Sequence, residues 1–280
     1  MLIRYIVKNF GSVIHPAELD LRSVQEYTNN IFLKGITTKV GLWDIQRYGV
    51  VFDPYTSPSP IIKSIEFARN YILDIPIKKN EINHWINDTA SFQFIFYNHN
   101  EVYEYGFSVD QNQIHEEWLM FLCSSHTEML PLFTRITDNS GNTVIDIESQ
   151  LLIGNTIHNT IDVIAQCIKK NELFLSCMHN SGIDHIENVF DWFQHLEIHE
   201  KYLHINNDAN VLCDTDCNNS DDGQAIFITD DLTLMDFDYF QQDEIWLANR
   251  VKGEFRLRPL SDFEIHNPDI LKAYLCGRFG

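Results

Sequence analysis

The stretch that decides the fold runs from Tyr48 to Ile72, YGVVFDPYTSPSPIIKSIEFARNYI. Its first five residues, Tyr48–Phe52, are a short apolar, β-branched run, the mark of a buried strand. The turn that follows, Asp53–Pro60, carries Pro54, Pro58 and Pro60. A helix then begins. Ser59 is a good N-cap, Pro60 suits the first helical position, and Ile61, Ile62, Ile65, Ala68 and Ile72 recur at helical spacing. The unit is strand, tight turn, helix.

On the N-terminal side, Leu2–Phe10 reads as a strand, and Ser12–Leu21 pairs back on it. On the C-terminal side, Ser91–Tyr97 and Val102–Val109 form a hairpin with Asn98, His99 and Asn100 at its turn. Gln113–Leu122 and Leu130–Ile136 continue the strand pattern. Helices are predicted over Thr160–Lys170 and Ile183–Tyr202. Asn206–Gly223 is rich in Asn and Asp and reads as a loop. Ala225–Thr229, Glu244–Ala248 and Phe255–Pro259 are the last strands. The pattern is α/β with an antiparallel part, built from elements distant in sequence.

Composition sets bounds. With 280 residues, 44% of them hydrophobic, the chain can bury an ordinary core as one large domain or two small ones. Its 20 basic against 40 acidic side chains give a net charge of −20, which argues against a general nucleic-acid binder. The charge is uneven: residues 1–80 hold 10 basic and 7 acidic side chains, and residues 81–280 hold 10 and 33. Between Lys201 and Arg250 lie 11 acids and no Lys or Arg. Such a run is a solubilising face or a surface for a basic partner. The six cysteines are scattered and form no secreted disulfide framework, and neither a signal-peptide pattern nor a membrane-spanning apolar run is present. A reducing cytoplasm is the expected location.

A buried strand, a tight turn and a helix N-terminus are the setting of a nucleotide phosphate loop, whose working pattern is G-x-x-x-x-G-K-[ST]. Here the same window, Asp53 to Pro60, reads DPYTSPSP. Asp53 stands at the first glycine and adds a negative charge. Pro58 replaces the second glycine, Ser59 the lysine and Pro60 the Mg²⁺-binding hydroxyl residue. The three prolines carry no N–H, although N–H groups cradle the phosphates. The lysine's charge-assisted bonds, roughly 1.5–3 kcal/mol each, are lost too. On spacing alone the window is an ordinary proline-rich turn.

Several segments in order change its weight. MLIRYIVKNFGS opens the chain, with Asn9, Phe10 and Ser12 in an N-F-x-S run; Tyr48–Ile72 follows; then VYEYGFSVDQNQIHEEWL (Val102–Leu119), LFTR (Leu132–Arg135) and NELFLSCMHNSGIDHIENVFDWF (Asn171–Phe193). IFITDDLTLMDFDYFQQDEIWLANR and LSDFEIHNPDILKAYLCGRFG close the chain. Together they resemble the abortive-infection type of AAA ATPase, whose ABC-type head is like that of SMC and OLD proteins. The resemblance covers most of residues 1–204 and 225–280. It implies one degenerate ABC-head-like domain: an N-terminal strand lobe with the first helix (1–136), a helical part (137–204), a shortened acidic connection (205–224) and a C-terminal strand lobe (225–280).

The departures from the family carry the functional expectation. The phosphate loop is replaced. Where the family places its signature and its acidic strand motif, this chain has only Ile205–Gln224, INNDANVLCDTDCNNSDDGQ, with no Ser-Gly signature and no apolar run ending in Asp-Glu. In the run Thr229, Asp230, Asp231, Asp230 stands in the place of the switch histidine. Hydrolysis by such heads rests on the positioning and electrostatics of these parts together. The resemblance therefore implies a pseudo-ATPase with no catalytic residue, cofactor or metal. Its expected role is a structural or regulatory subunit of a bacterial antiviral complex. The partner would be an active ATPase relative or a nuclease-type effector, in a hetero-oligomer without membrane or direct nucleic-acid binding. Gln241 and Gln242 stand where family members often carry basic residues, which fits an acidic docking face over Asp208–Glu244.

Other groups of residues have ligand-like or hydrolase-like spacing. His195 and His199 at i, i+4, followed by Cys213 and Cys217, are compatible with a tetrahedral zinc clip, although histidines on an amphipathic helix are a common surface feature. Asp214, Asp216, Asn218, Ser220 and Asp222 alternate like a calcium loop, but Asn219 and Ala225 stand where Gly and Glu are required. His179, Asp184, His185 and Glu187 suggest a hydrolase site without a nucleophile elbow; acids near a helix start explain Asp184 and Glu187 equally well. Phe190, Trp192 and Phe193 read as core aromatics. The alternatives in function are a metal-dependent hydrolase or nuclease using the acidic, His-rich second half, and an acidic antitoxin-like inhibitor of a basic effector.

Overall fold

A computed structural model of the chain describes residues 1–24, 33–38, 41–55, 59–86, 88–122, 129–138, 140–148, 155–183, 186–196, 198, 224–237, 239–265 and 270–279. In chain order come strands β1 (Leu2–Lys8), β2 (Ala17–Asp20), β3 (Leu33–Thr38), β4 (Gly41–Gln46) and β5 (Tyr48–Phe52), then helices α1 (Pro60–Ile72) and α2 (Lys79–Trp85). Strands β6 (Ala90–Asn98), β7 (Glu101–Val109), β8 (Ile114–Leu122), β9 (Leu130–Thr137) and β10 (Thr143–Ile147) follow. Helices α3 (Asn155–Cys167), α4 (Phe174–Asn180) and α5 (Glu187–His195) come next. The chain closes with β11 (Ala225–Thr229), β12 (Ile245–Val251), β13 (Glu254–Pro259) and α6 (Ile270–Leu275). The class is mixed α/β with mostly antiparallel sheets.

The larger sheet has seven antiparallel strands in the order β10-β9-β8-β7-β6-β1-β2. The β6–β7 turn bends at His99 and Asn100, with φ of 49° and 65°, the left-handed pair that two-residue hairpins need. Strand β6 alternates so that Ala90, Phe92, Phe94 and Phe96 are fully buried. Helix α5 lays Trp192 and Phe193 on this row, Trp192 stacking on Phe96 with ring centroids 4.2 Å apart. Helix α1 adds Phe67, 5.7 Å from Phe92. Each such ring buries a large apolar area. Gly106 pairs with Trp118, whose ring would lie 2.3 Å from a Cβ at that position.

The smaller sheet runs β11-β5-β12-β13. Its first three strands are parallel and β13 returns antiparallel. All five residues of β5 are buried, as expected of a central parallel strand covered on both faces. Val50 and Phe52 face a cluster with Leu234, Ile245, Leu260 and Ile270, whereas Val51 belongs to the main core with Ile61 and Ile65. The sheets meet where β13 lies along β2. Phe255 N–H donates to Ser12 O at 2.8 Å. The Gln224 side chain accepts from Leu2 N–H at 2.7 Å and donates to the carbonyls of Leu2 and Gln46. Strand β5, from residues 1–136, thus completes a sheet otherwise built from residues 225–280.

Four sequence expectations need correction. The helix predicted over Ile183–Tyr202 is α5, which stops at His195 because Leu196 turns to extended backbone. The helix predicted over Thr160–Lys170 starts earlier, at Asn155, and ends at Cys167. The part read as helical, 137–204, also contains strand β10, which pairs with β9. Ser59 sits at the N-cap of α1 but its hydroxyl makes no capping bond.

Candidate functional site

The carboxyl ends of parallel strands open the crevice where α/β sheets place ligands. Here that end belongs to β5 and β11, with the N-terminus of α1 above it. The structure joins Asp53 to Thr229 by a hydrogen bond; Pro54 follows in the turn, Ser59 and Pro60 start α1, and Asp230 and Asp231 follow Thr229. Pro58 lies outside the described residues.

Several backbone donors of the turn, among the described residues, are already engaged. Asp53, only 2% exposed, donates its N–H to Thr229 O at 2.9 Å. Its carboxylate accepts the N–H of Tyr55 at 3.2 Å. That carboxylate takes an N–H that a phosphate oxygen would need and sets a negative charge beside it. Pro60 has no N–H, and the Lys63 N–H is bonded to Ser59 O at 3.0 Å. The Ser59 hydroxyl is buried without a hydrogen-bond partner. An anion placed here meets the Asp53 carboxylate, and the N–H groups of Asp53, Tyr55 and Lys63 are already bonded.

The neighbouring groups reinforce this. Asp231 N–H donates to the Thr229 hydroxyl, while the Asp231 carboxylate accepts both the N–H and the hydroxyl of Thr233, an Asx-type turn. Asp230 is exposed. Tyr274 of α6 hydrogen-bonds to Tyr55; burial, then Tyr55 and the nearby Asp53, push its hydroxyl pKa up to about 12. Sequence reading missed Tyr55 and Tyr274, because no local pattern announces a contact between residues so far apart in the chain.

A second polar centre was also missed. Glu117 on β8 and Arg135 on β9 are fully buried, 3.6 Å apart. Glu117 accepts the N–H groups of Phe174 and Leu175 at 2.7 and 2.9 Å and the Tyr105 hydroxyl at 3.0 Å. Arg135 donates to the carbonyls of Glu172 and Lys169. Burial raises the Glu117 pKa, against the pull of its hydrogen bonds and of Arg135. This network ties the start of α4 to the large sheet. The available signal was a charged pair inside strands otherwise rich in apolar residues.

The remaining sequence candidates stay apart. His195 ends α5, mostly exposed, its Nδ1 3.0 Å from Asp191 O. His199, Cys213, Cys217 and the residues Asp214, Asp216, Asn218, Ser220 and Asp222 lie outside the described residues, as do Asp184 and His185. His179 bonds Glu187 at 3.0 Å and stacks on Phe190. No group of three or more metal-ligating side chains occurs among the described residues. Gln242 donates to the carbonyls of Leu260 and Phe263. Asp243 and Glu244 are buried; Asp243 accepts from the Ser23 hydroxyl and Val24 N–H, and Glu244 from Gln241 N–H. These two acids therefore leave the docking face expected over Asp208–Glu244. Among the described residues no helix is long and apolar enough to cross a membrane.

No protein-family model, curated protein or solved structure matches this chain.

Proposed function

We propose that this chain is a non-catalytic, ABC-head-like protein, a pseudo-ATPase acting as a structural or regulatory subunit of a bacterial antiviral complex. The carrying observation is the turn after β5: the Asp53 carboxylate accepts the Tyr55 N–H, a donor that a phosphate loop keeps free, and puts a negative charge there. A strand–turn–helix unit at the centre of a parallel sheet, beside a large antiparallel sheet, supports the ABC-head likeness. Exposed acids such as Asp230 and Asp236 offer a surface that repels nucleic acid and steers a basic protein patch. The partner is an active ATPase relative or a nuclease-type effector.

Calorimetry with Mg²⁺ and ATP tests the catalytic part: no binding is expected. Micromolar binding that is lost on Ser59→Ala or Pro60→Ala overturns it. Copurification with the product of a neighbouring gene tests the assembly part; a chain that stays alone under conditions where both products are made contradicts it.

A further inference from the structure

Three helices end at one cavity of about 500 Å³, within the range of small-molecule sites. It lies at the far end of α1 from the β5–α1 turn. Tyr71 and Asp74 reach it from the C-terminal end of α1, Val163 and Cys167 from that of α3, and Cys177 and Asn180 from that of α4. Aliphatic side chains form much of the wall, among them Ile77, Ile82, Ile164 and Ile168. Ile75 and Val163 line it while remaining 42% and 59% exposed.

The charged side chains that line the cavity are acidic. Each helix C-terminus carries a partial negative charge, up to about half an electron for a long helix. The last turn of α3 contains no basic residue to offset it, whereas Arg69 and His179 stand in the last turns of α1 and α4. The charged residues of the lining are Asp74 and Glu172, and neither Lys nor Arg lines the cavity. Glu172 is paired with Lys169 at 2.6 Å. The Asp74 carboxylate accepts no hydrogen bond among the described residues. Arg135, beneath the floor, is spent on Glu117 and on backbone carbonyls. The weak acids in the wall respond accordingly. Burial, then Glu172 and Glu117, push the Cys177 thiol pKa up to about 11. Burial, with Glu117, Asp110 and Asp74 opposing Arg135, pushes the Tyr71 hydroxyl up to about 12.

We propose that this cavity binds an aliphatic ammonium group, its alkyl chain against the isoleucines and its charge toward Asp74 and the three helix ends. The group is that of a free alkylamine or of a lysine side chain. The assignment does not depend on the pseudo-ATPase reading.

The test titrates the full chain by calorimetry with hexylammonium, hexanol, hexanoate and a short lysine peptide. Hexylammonium is expected to bind at least tenfold more tightly than hexanoate and more tightly than hexanol. Stronger binding of hexylammonium than of the peptide assigns a free amine; the reverse assigns a presented side chain. Bound amine should slow alkylation of Cys167 by iodoacetamide and leave the exposed Cys276 unchanged. Val163→Trp, at an exposed site, should fill the cavity and abolish binding. Asp74→Asn keeps a residue that tolerates the left-handed φ of 54°; it should weaken hexylammonium about fivefold and leave hexanol unaffected. Equal binding of amine and carboxylate, or amine binding without protection of Cys167, overturns the proposal, as does no binding of either amine probe.

Discussion

Replacing one member of the buried Glu117–Arg135 pair should expose an asymmetry between the two residues. Glu117→Leu removes the acceptor of two N–H groups and a tyrosine hydroxyl and strands a guanidinium that cannot shed its proton. Breaking a buried pair in this way costs about 3–5 kcal/mol. At about 2–3 °C per kcal/mol for a chain of this size, the melting temperature should fall by roughly 6–15 °C. Arg135→Leu strands a carboxylate instead, and that group can protonate. Its pKa, already raised by burial, rises further without the guanidinium. Between the unfolded and the raised folded pKa, the folded state holds the proton and the unfolded state does not. Stability therefore falls as pH rises through that window. The deficit of Arg135→Leu against the parent chain should be small at pH 5 and larger at pH 7.5; that of Glu117→Leu should lack this added fall with rising pH. Thermal unfolding of both variants at the two pH values measures this. A deficit for Arg135→Leu that does not change with pH, or a loss below about 1 kcal/mol for Glu117→Leu, refutes the reasoning.

Ser59→Ala should leave stability unchanged or slightly raised in urea unfolding, because the hydroxyl is buried and unpartnered; the usual N-cap loss of about 1 kcal/mol would show that it does cap α1. Gly106→Ala drives a methyl group into Trp118, whose indole is held by Glu104 at 2.9 Å; a loss of about 1–3 kcal/mol is expected, partly recovered by adding Trp118→Leu. Once a partner is in hand, exchanging Asp208, Asp214, Asp216, Asp230 and Asp236 for Asn should slow association at low salt and flatten its salt dependence, measured by stopped-flow mixing. An unchanged rate would make these acids a solubilising surface only.

The parts of the fold legible in the sequence are those whose cause is local. Strand β5 announces itself through YGVVF and the prolines after it, and the β6–β7 hairpin through alternating aromatics that meet at His99 and Asn100. Helix α4 has no local signature, because the N–H groups of its first turn are held by a carboxylate from β8, a partner no window of sequence contains. The β3–β4 hairpin, β10 and α6 are short, and their positions depend on neighbours. At the site, Asp53 and Pro60 could be read as hostile to phosphate. The commitment of Asp53 N–H to Thr229 and the Tyr55–Tyr274 contact needed the tertiary structure. The acidic run misled in one respect: Asp243 and Glu244 look like surface charge by composition, yet their carboxylates accept hydrogen bonds in the interior.

The pairing of β5 bears on how the protein is made. Tyr48 must find Ala225, and Val51 must find Trp246. At synthesis rates of about 5–20 residues per second, β5 leaves the ribosome roughly 9–35 s before β11 does. Over that interval Val50, Val51 and Phe52 have no sheet to join, whereas β6 to β10 can pair with immediate neighbours as they emerge. Non-local parallel pairing is slow and exposes aggregation-prone strands. A nascent or truncated chain ending before Ala225 would carry YGVVF as an open strand, making it a natural client for chaperones and a poor candidate for expression in pieces.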